Sequence, residues 1–314
     1  MVLIDSCGRP LLNLRIAITS KCNLQCVYCH KEGEEIGSCS KGTTDEMELD
    51  EIIKIAKISV NLGISRIKIT GGEPLVRKDV CEIIKEISKI PGLKDLSIAT
   101  NGVILKNKAI ELKECGLKRV NISLPTLNPR TYNSLTQGKI ENVLTGIKSA
   151  VATGLNPVKL NMVVLNDINV IDIPNMIEYA KKTGAILQLI ELDPINVNKQ
   201  YYSDYHKFLD EQEEFLEKKA FKIDTRRFMH NRKIYRLQGV TVEVVHPIEN
   251  SEFCMHCTRL RVTSDGKLKP CLMKNDNTVN ILGPLRNGAS DQELKELFLE
   301  ANQMRFPYNK ENKL

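Results

Sequence analysis

The sequence predicts an α/β fold, a partial (βα)6 TIM-like barrel with a C-terminal extension, and three observations carry that prediction. Short β-branched runs alternate with longer segments of helical period from Leu14 to Leu192, the pattern of a parallel sheet with right-handed crossovers. The chemically distinctive residues fall where the strand-like runs end. After Pro194 the rhythm stops. The expected organisation is a barrel over residues 1–194 and a C-terminal region over residues 195–314 that closes the barrel mouth.

Met1 to Pro10 reads as a lead-in. The strand-like runs are Leu14 to Thr19, Ile67 to Thr70, Leu96 to Thr100, Val120 to Leu124, Lys159 to Leu165 and Ile186 to Leu192. Helical periodicity fills Ile52 to Val60, Val80 to Ile90, Ile110 to Cys115, Val143 to Ala152 and Ile171 to Lys182. The strands show little polar alternation, as expected when both faces are covered. Six such units also suit a doubly wound sheet, and motif placement favours the barrel. The loop KCNLQCVYCH (Lys21 to His30) follows the first strand, Gly71-Gly72-Glu73-Pro74 the second and Asn101-Gly102 the third, while Ser123 ends the fourth and Glu191 the sixth. A ring of such positions fits a barrel mouth better than a single crevice. Beyond Pro194, Tyr201 to Lys219 reads as an amphipathic helix and Val240 to Val245 as a strand. Ser264-Asp265-Gly266-Lys267 reads as a hairpin turn that brings Cys271 back towards Cys254 and Cys257.

Composition narrows the class. At 314 residues the chain can bury a large core. The net charge of +6, from 45 Lys+Arg against 39 Asp+Glu, has no basic block and fits an anionic small molecule as well as nucleic acid. Ten cysteines in a chain of this size, with no basic-then-apolar leader, are expected to be reduced thiols of a cytoplasmic protein rather than a disulfide framework. No apolar run reaches the length of a membrane span.

The cysteines form two triplets, Cys22, Cys26 and Cys29, and Cys254, Cys257 and Cys271. An ordinary [4Fe-4S] cluster takes four cysteines and a closed zinc site four ligands, so three thiolates leave one position for a substrate or cofactor. Zinc remains an alternative, with His30 completing the first triplet and His256 or His246 the second. A sealed structural metal is out of place at a barrel mouth, however, and the second triplet is followed by cations, not by another Cys pair. Gly71-Gly72 would ordinarily only make a turn. Next to an open metal centre the pair would instead let backbone approach a ligand's polar end, with Glu73 accepting from an ammonium. Arg259 and Arg261 alternate along a strand and so share a side. Lys68 and Lys159 lie within strands, where burying an unpaired cation is costly, and each implies an anionic partner.

The CxxxCxxC loop with Tyr28 before its third cysteine, ITGGEPLVR (69–77), VKLNMVV (158–164) and FCMHCTRLRVTSDGKLKPCL resemble the radical S-adenosylmethionine (SAM) superfamily and, within it, the GTP 3',8-cyclases of molybdenum cofactor biosynthesis. The likeness runs from about Gly8 to Arg286. It implies a [4Fe-4S] cluster on Cys22, Cys26 and Cys29 that cleaves SAM, and a second on Cys254, Cys257 and Cys271, carried by the C-terminal extension and facing the guanine. It places Tyr28, Gly71, Gly72, Glu73 and Ser123 at SAM. At GTP it places Arg15, Lys68, Thr100, Lys159, Arg259, Leu260 and Arg261. The implied reaction draws hydrogen from C3' of the ribose with a 5'-deoxyadenosyl radical and joins C3' to C8, giving (8S)-3',8-cyclo-7,8-dihydroguanosine 5'-triphosphate. Implied partners are an electron donor and a separate cyclic pyranopterin monophosphate synthase acting next, with a homodimer common in such families and neither membrane nor nucleic acid expected.

Several positions point to the archaeal branch: Ala99-Thr100-Asn101-Gly102, Ser123-Leu124-Pro125, Gln188 where bacterial relatives carry an arginine, Asp193 in place of a methionine, and a tail without Gly-Gly. Two other readings are a radical SAM peptide maturase with an auxiliary cluster, and a non-catalytic metal-binding protein that contacts RNA. Cys81 and Cys115 are expected to pack on helix faces. Cys7 and Cys39, in segments expected to be flexible, carry no assigned role. His206 and His230 are likewise unassigned and expected at the surface.

Overall fold

β1 (Asn13–Ala17), β2 (Arg66–Thr70), β3 (Asp95–Thr100), β4 (Arg119–Ser123), β5 (Val158–Val164) and β6 (Ile186–Glu191) lie side by side in chain order, all parallel. The computed structural model describes residues 2–34 and 46–311. A doubly wound sheet reverses its strand order at a switch point. Here the order runs one way, so right-handed crossovers put the connecting helices on one face and the sheet curls into a barrel wall. The crossover helices are Leu49–Asn61, Val80–Ser88, Leu105–Glu114, Ile140–Ala152 and Ile173–Thr183.

The strands do alternate, contrary to the reading of two covered faces. Leu14 and Ile16, Ile67 and Ile69, Leu96 and Ile98, and Leu187 and Leu189 are buried in the main core with the helices, each such side chain contributing about 1.5–3 kcal/mol. Arg15, Lys68, Ser97 and Gln188, at the intervening positions, line cavities inside the barrel, as does Asn161 of β5. The wall is amphipathic because its inner face surrounds a polar interior.

The remaining strands, β7 (Lys222–Arg226), β8 (Arg232–Leu237), β9 (Val240–Val245), β10 (Arg259–Val262), β11 (Lys267–Lys269) and β12 (Val279–Asn280), join the same sheet. β9 adds in parallel to β6 and β10 in parallel to β1, so the C-terminal region extends both edges of the wall. Antiparallel pairs then continue outward, β8 and β7 from β9, β11 and β12 from β10. Leaving β9 at one edge and entering β10 at the other, the chain carries Cys254 and Cys257 across the open side of the barrel. That seam is closed without strand pairing: the Thr258 hydroxyl donates to Phe228 O at 3.0 Å, and His230 N donates to His256 O at 3.0 Å.

A helix missing from the sequence reading, Pro129–Thr136, follows β4. Its start was encoded: the Asn128 side chain accepts from Arg130 N and Thr131 N, and Pro129 takes the first turn. The helix expected over Tyr201 to Lys219 divides into Lys199–Tyr205 and Asp210–Lys219. His206 turns extended at the break, its Nε2 2.8 Å from Glu191 Oε1, so it is not the surface residue expected. Cys81 is buried and Cys115 packs against the core. Cys7 N donates to Asp5 Oδ1 in a turn, and Cys39 lies outside the described residues. Among the described residues no helix is long and apolar enough to cross a membrane.

Candidate functional site

The first cysteine loop leaves β1 and is held from two directions. Gln25 N donates to Thr136 O at 3.1 Å and Val27 N to Leu135 O at 3.0 Å, so the helix after β4 anchors it. Leu24 N and Lys31 N each lie 3.4 Å from the sulfur they point at, Cys22 Sγ and Cys29 Sγ, and the Asn101 amide reaches Cys22 Sγ at 3.9 Å. Such N–H···S contacts tune a thiolate-bound cluster. The Tyr28 hydroxyl is hydrogen-bonded to Cys26, and its ring packs with Leu135, Leu165, Leu192 and Val197. Burial and the neighbouring thiols push Cys26 up to about 12, and burial also raises Cys22 and Cys29. Three adjacent thiols resist ionising together unless a metal draws the protons off.

Gly71 and Gly72 line the same cavity and lie hard against the chain entering the loop. Gly72 N donates to Thr19 O and Glu73 N to Lys21 O, both at 2.7 Å. A Cβ on Gly71, at φ +150°, would meet Thr19 O at 2.4 Å; one on Gly72 would meet Lys21 O at 2.3 Å and Ser20 O at 2.5 Å. The pair is thus required where two backbones cross. Gly72→Ala is expected to cost about 1–3 kcal/mol through this overlap and to lower the iron retained after anaerobic reconstitution; thermal unfolding and iron analysis measure both. Wild-type iron retention would mean that the glycine does not set the loop.

Glu73 is not where the sequence reading put it. It is 1% exposed and does not line the cavity. Its carboxylate accepts from Leu75 N at 3.0 Å, the Thr100 hydroxyl at 2.7 Å and Asn101 N at 2.6 Å. Burial lifts its pKa to about 7 against these bonds. Glu73 ties the loop after β2 to the loop after β3, so the Thr100 hydroxyl donates to protein.

The second triplet is held through its carbonyls. Arg9 donates to Cys254 O at 2.8 Å and Arg305 to Cys257 O at 2.6 Å, and Asp5 lies 2.8 Å from Arg9 and 3.4 Å from Arg305. Both termini of the described chain thereby brace this loop. Burial opposes ionisation of Cys257, but Arg305, Arg259 and Arg9 outweigh it and its pKa falls; burial raises Cys254 and Cys271. All six thiols are free and line one cavity. Of the histidines of the zinc alternative, His30 lines this cavity and the other two, His246 and His256, do not. His30 Nδ1 accepts from Glu32 N at 2.9 Å.

The expected cations converge on this interior with partners of their own. Arg15 lies 3.2 Å and Arg261 3.6 Å from Glu32, a half-buried carboxylate that sequence reasoning missed. Burial works against that carboxylate's charge, yet Arg15, His30 and Arg261 hold it down at about 2. Lys159 finds its anion in Glu243 at 2.5 Å, so its counter-charge is internal, and burial still lowers it to about 8. Gln188 donates to the same Glu243 at 2.9 Å. Lys68 reaches the Asn121 side-chain oxygen at 2.9 Å; burial and the cations around it lower its pKa. Arg259 and Arg261 both line the cavity, whereas Leu260 between them is 0% exposed and packs into the core. Ser123 lines the cavity. So does His230, which is buried and not at the surface.

A family model described as the radical SAM superfamily matches residues 16–180. A protein from Methanocaldococcus jannaschii, named probable GTP 3',8-cyclase, is 47% identical over 98% of this chain and 99% of its own, and one from Pyrococcus abyssi with the same name is 48% identical over 98% and 99%. The chain belongs to the radical SAM superfamily and to its GTP 3',8-cyclase family. A second family model, Molybdenum Cofactor Synthesis C, matches residues 185–311. Among solved structures, Streptococcus suis SuiB bound to S-adenosylmethionine resembles this radical SAM chain at TM-score 0.64 and 17% identity, over 86% of this chain and 63% of that one. The structure of anSMEcpe with bound AdoMet gives 0.61 and 19%, over 95% and 80%. At these identities the likeness is one of fold.

The radical SAM superfamily implies SAM and a [4Fe-4S] cluster, and the first loop has the donors for it. Its three thiols open onto the cavity, and two of them, Cys22 and Cys29, receive N–H groups at sulfur. Cys22, Cys26 and Cys29 are the residues of this loop that could hold the cluster.

Proposed function

We propose that this radical SAM protein converts GTP to (8S)-3',8-cyclo-7,8-dihydroguanosine 5'-triphosphate in molybdenum cofactor biosynthesis, with a [4Fe-4S] cluster on each cysteine triplet. The observation that carries the proposal is the opening of both three-thiol sets onto one cavity whose wall holds Arg15, Lys68, Arg259 and Arg261. Two open metal sites facing a cationic wall suit two substrates, one of them a polyanion.

When bound, the first cluster supplies the electron that breaks a carbon–sulfur bond of SAM. Tyr28, Gly71, Gly72 and Ser123 shape the cavity beside that triplet and would hold SAM, while Glu73 fixes the loops beneath. Arg15, Lys68, Arg259 and Arg261 would bind the triphosphate with charge-assisted bonds and so orient the ribose for reaction, a positioning that lowers the reaction's barrier. Lys159 and Thr100 act through Glu243 and Glu73 rather than alone. Cys254, Cys257 and Cys271 would hold the second cluster against the guanine. We further propose that the enzyme works in the cytoplasm with an electron donor, as a homodimer, and hands its product to a cyclic pyranopterin monophosphate synthase.

The test is anaerobic incubation of the reconstituted protein with SAM, a reductant and GTP. GTP is expected to accelerate 5'-deoxyadenosine formation and to yield the cyclised nucleotide. If neither happens, the substrate assignment fails. A colourless, zinc-loaded protein would instead support a structural metal role.

A further inference from the structure

We propose that the turn after β7 and the first residue of β8 supply a phosphate-binding pair, His230 and Arg232, that completes the triphosphate site. This deepens the GTP reading and rests on it.

Five side chains line both the cavity at the cysteine end of the barrel and the pocket at its opposite end: Arg15, Lys68, Gln188, Arg232 and Arg259. Four of the five are cations, so the waist of the barrel is a cationic ring. Carboxylates answer part of that charge, and Asp95 in the opposite pocket is taken by Arg119. Glu32 serves Arg15 and Arg261, and Glu243 is shared by Lys159 at 2.5 Å, Arg226 at 3.2 Å and, last, Arg232 at 3.7 Å. Among the described residues neither Lys68 nor Arg259 has an ion pair; the Arg259 guanidinium meets Met229 Sδ at 3.8 Å. Lys68 and Arg259, half-buried on the cavity wall and without an ion pair among the described residues, are placed to hold an external anion.

Arg232 is positioned for that anion. Its side chain is 6% exposed, its Nε donates to Met229 O at 2.9 Å and its Nη1 stands 3.7 Å from Glu243, beyond hydrogen-bond distance, on the wall shared by the two cavities. His230, two residues earlier, is 5% exposed, and its Nδ1 is buried without a hydrogen-bond partner. Its ring stacks on Phe253, in the helix that carries Cys254, with centroids 3.9 Å apart and planes at 11°. A buried ring nitrogen with no partner inside a cavity is a group awaiting a ligand. Burial and the surrounding arginines keep the imidazole neutral, so it carries one N–H that can be offered to a phosphate oxygen. The backbone is committed to this placement: His230 and Asn231 both sit at positive φ, 66° and 52°, a costly conformation for side-chain-bearing residues.

The experiment is equilibrium binding of GTP, GMP and tripolyphosphate to the anaerobically reconstituted protein, as wild type, Arg232→Gln, Arg232→Lys and His230→Phe. His230→Phe keeps the stack and removes the ring nitrogens. Losing a charge-assisted bond is expected to weaken GTP and tripolyphosphate about 10- to 100-fold in Arg232→Gln. His230→Phe should lose about tenfold, with GMP nearly unchanged in both and Arg232→Lys in between. Equal losses for GTP and GMP, or an unchanged GTP affinity, would overturn the pair. If the wild type binds tripolyphosphate but not GTP, the substrate reading fails while the anion site is still judged by the variants. If it binds neither, the anion site is refuted as well.

Discussion

Replacing Cys271 with alanine is expected to take the protein from roughly eight irons per chain to about four, to leave SAM binding intact, and to abolish cyclisation. Cys26→Ala is expected to remove the other four, again roughly, and with them all SAM cleavage. The two losses should be separable because the loops are braced independently. The first is held by Leu135 O, Thr136 O and the Gly71-Gly72 crossing, the second by Arg9 and Arg305 on Cys254 O and Cys257 O. Neither brace uses a cysteine side chain, so the polypeptide path should survive loss of a thiol. Iron analysis, SAM binding and 5'-deoxyadenosine yield in each variant make the measurement. A Cys271→Ala protein that sheds all its iron or aggregates would show the second triplet to be a folding element instead.

What the sequence disclosed and what it hid divide along physical lines. The six strands, the hairpin returning Cys271 and the cationic strand positions were legible because β-branched runs, turn residues and cysteine spacing are local signals. The wall's polar inner face was misread: Arg15, Lys68 and Gln188 each stand alone in short apolar strands, and only closure of the barrel makes them neighbours. Glu73 looked like a ligand for an ammonium because two of its donors, Thr100 and Asn101, stand at the end of β3, nearly thirty residues on. Glu32, Glu243, His230 and Arg232 were missed for the same reason. Each acquires its role from partners far away in the sequence, such as Phe253 for His230 and Glu243 for Arg232, and nothing in its immediate sequence marks it. The helix at Pro129–Thr136 was the exception, since Asn128-Pro129 is a local start signal that could have been used.

Glu243→Gln is expected to destabilise the protein by about 3–5 kcal/mol, the cost of breaking a buried ion pair from one side. The carboxylate is 2% exposed and answers Lys159, Arg226 and Arg232 while also accepting from Gln188. An amide keeps some of the hydrogen bonds and none of the charge, leaving three cations crowded in the barrel. The effect should depend on pH with a defined sign. Burial resists the charge of Glu243, but Lys159, Arg232 and Arg226 depress its pKa from 4.5 to about 2. A depressed carboxylate contributes stability that is complete above the unfolded value and is lost as pH falls towards the folded one. The gap between wild type and variant in chemical denaturation should therefore be full at pH 7 and shrink below about pH 4.5. Glu32, held at about 2 as well, will keep some acid sensitivity in the variant. The same substitution frees Lys159 for an outside anion, so tripolyphosphate should stabilise Glu243→Gln more than wild type. A gap that stayed constant with pH, or a variant indifferent to the polyanion, would mean that Glu243 does not balance the ring of cations.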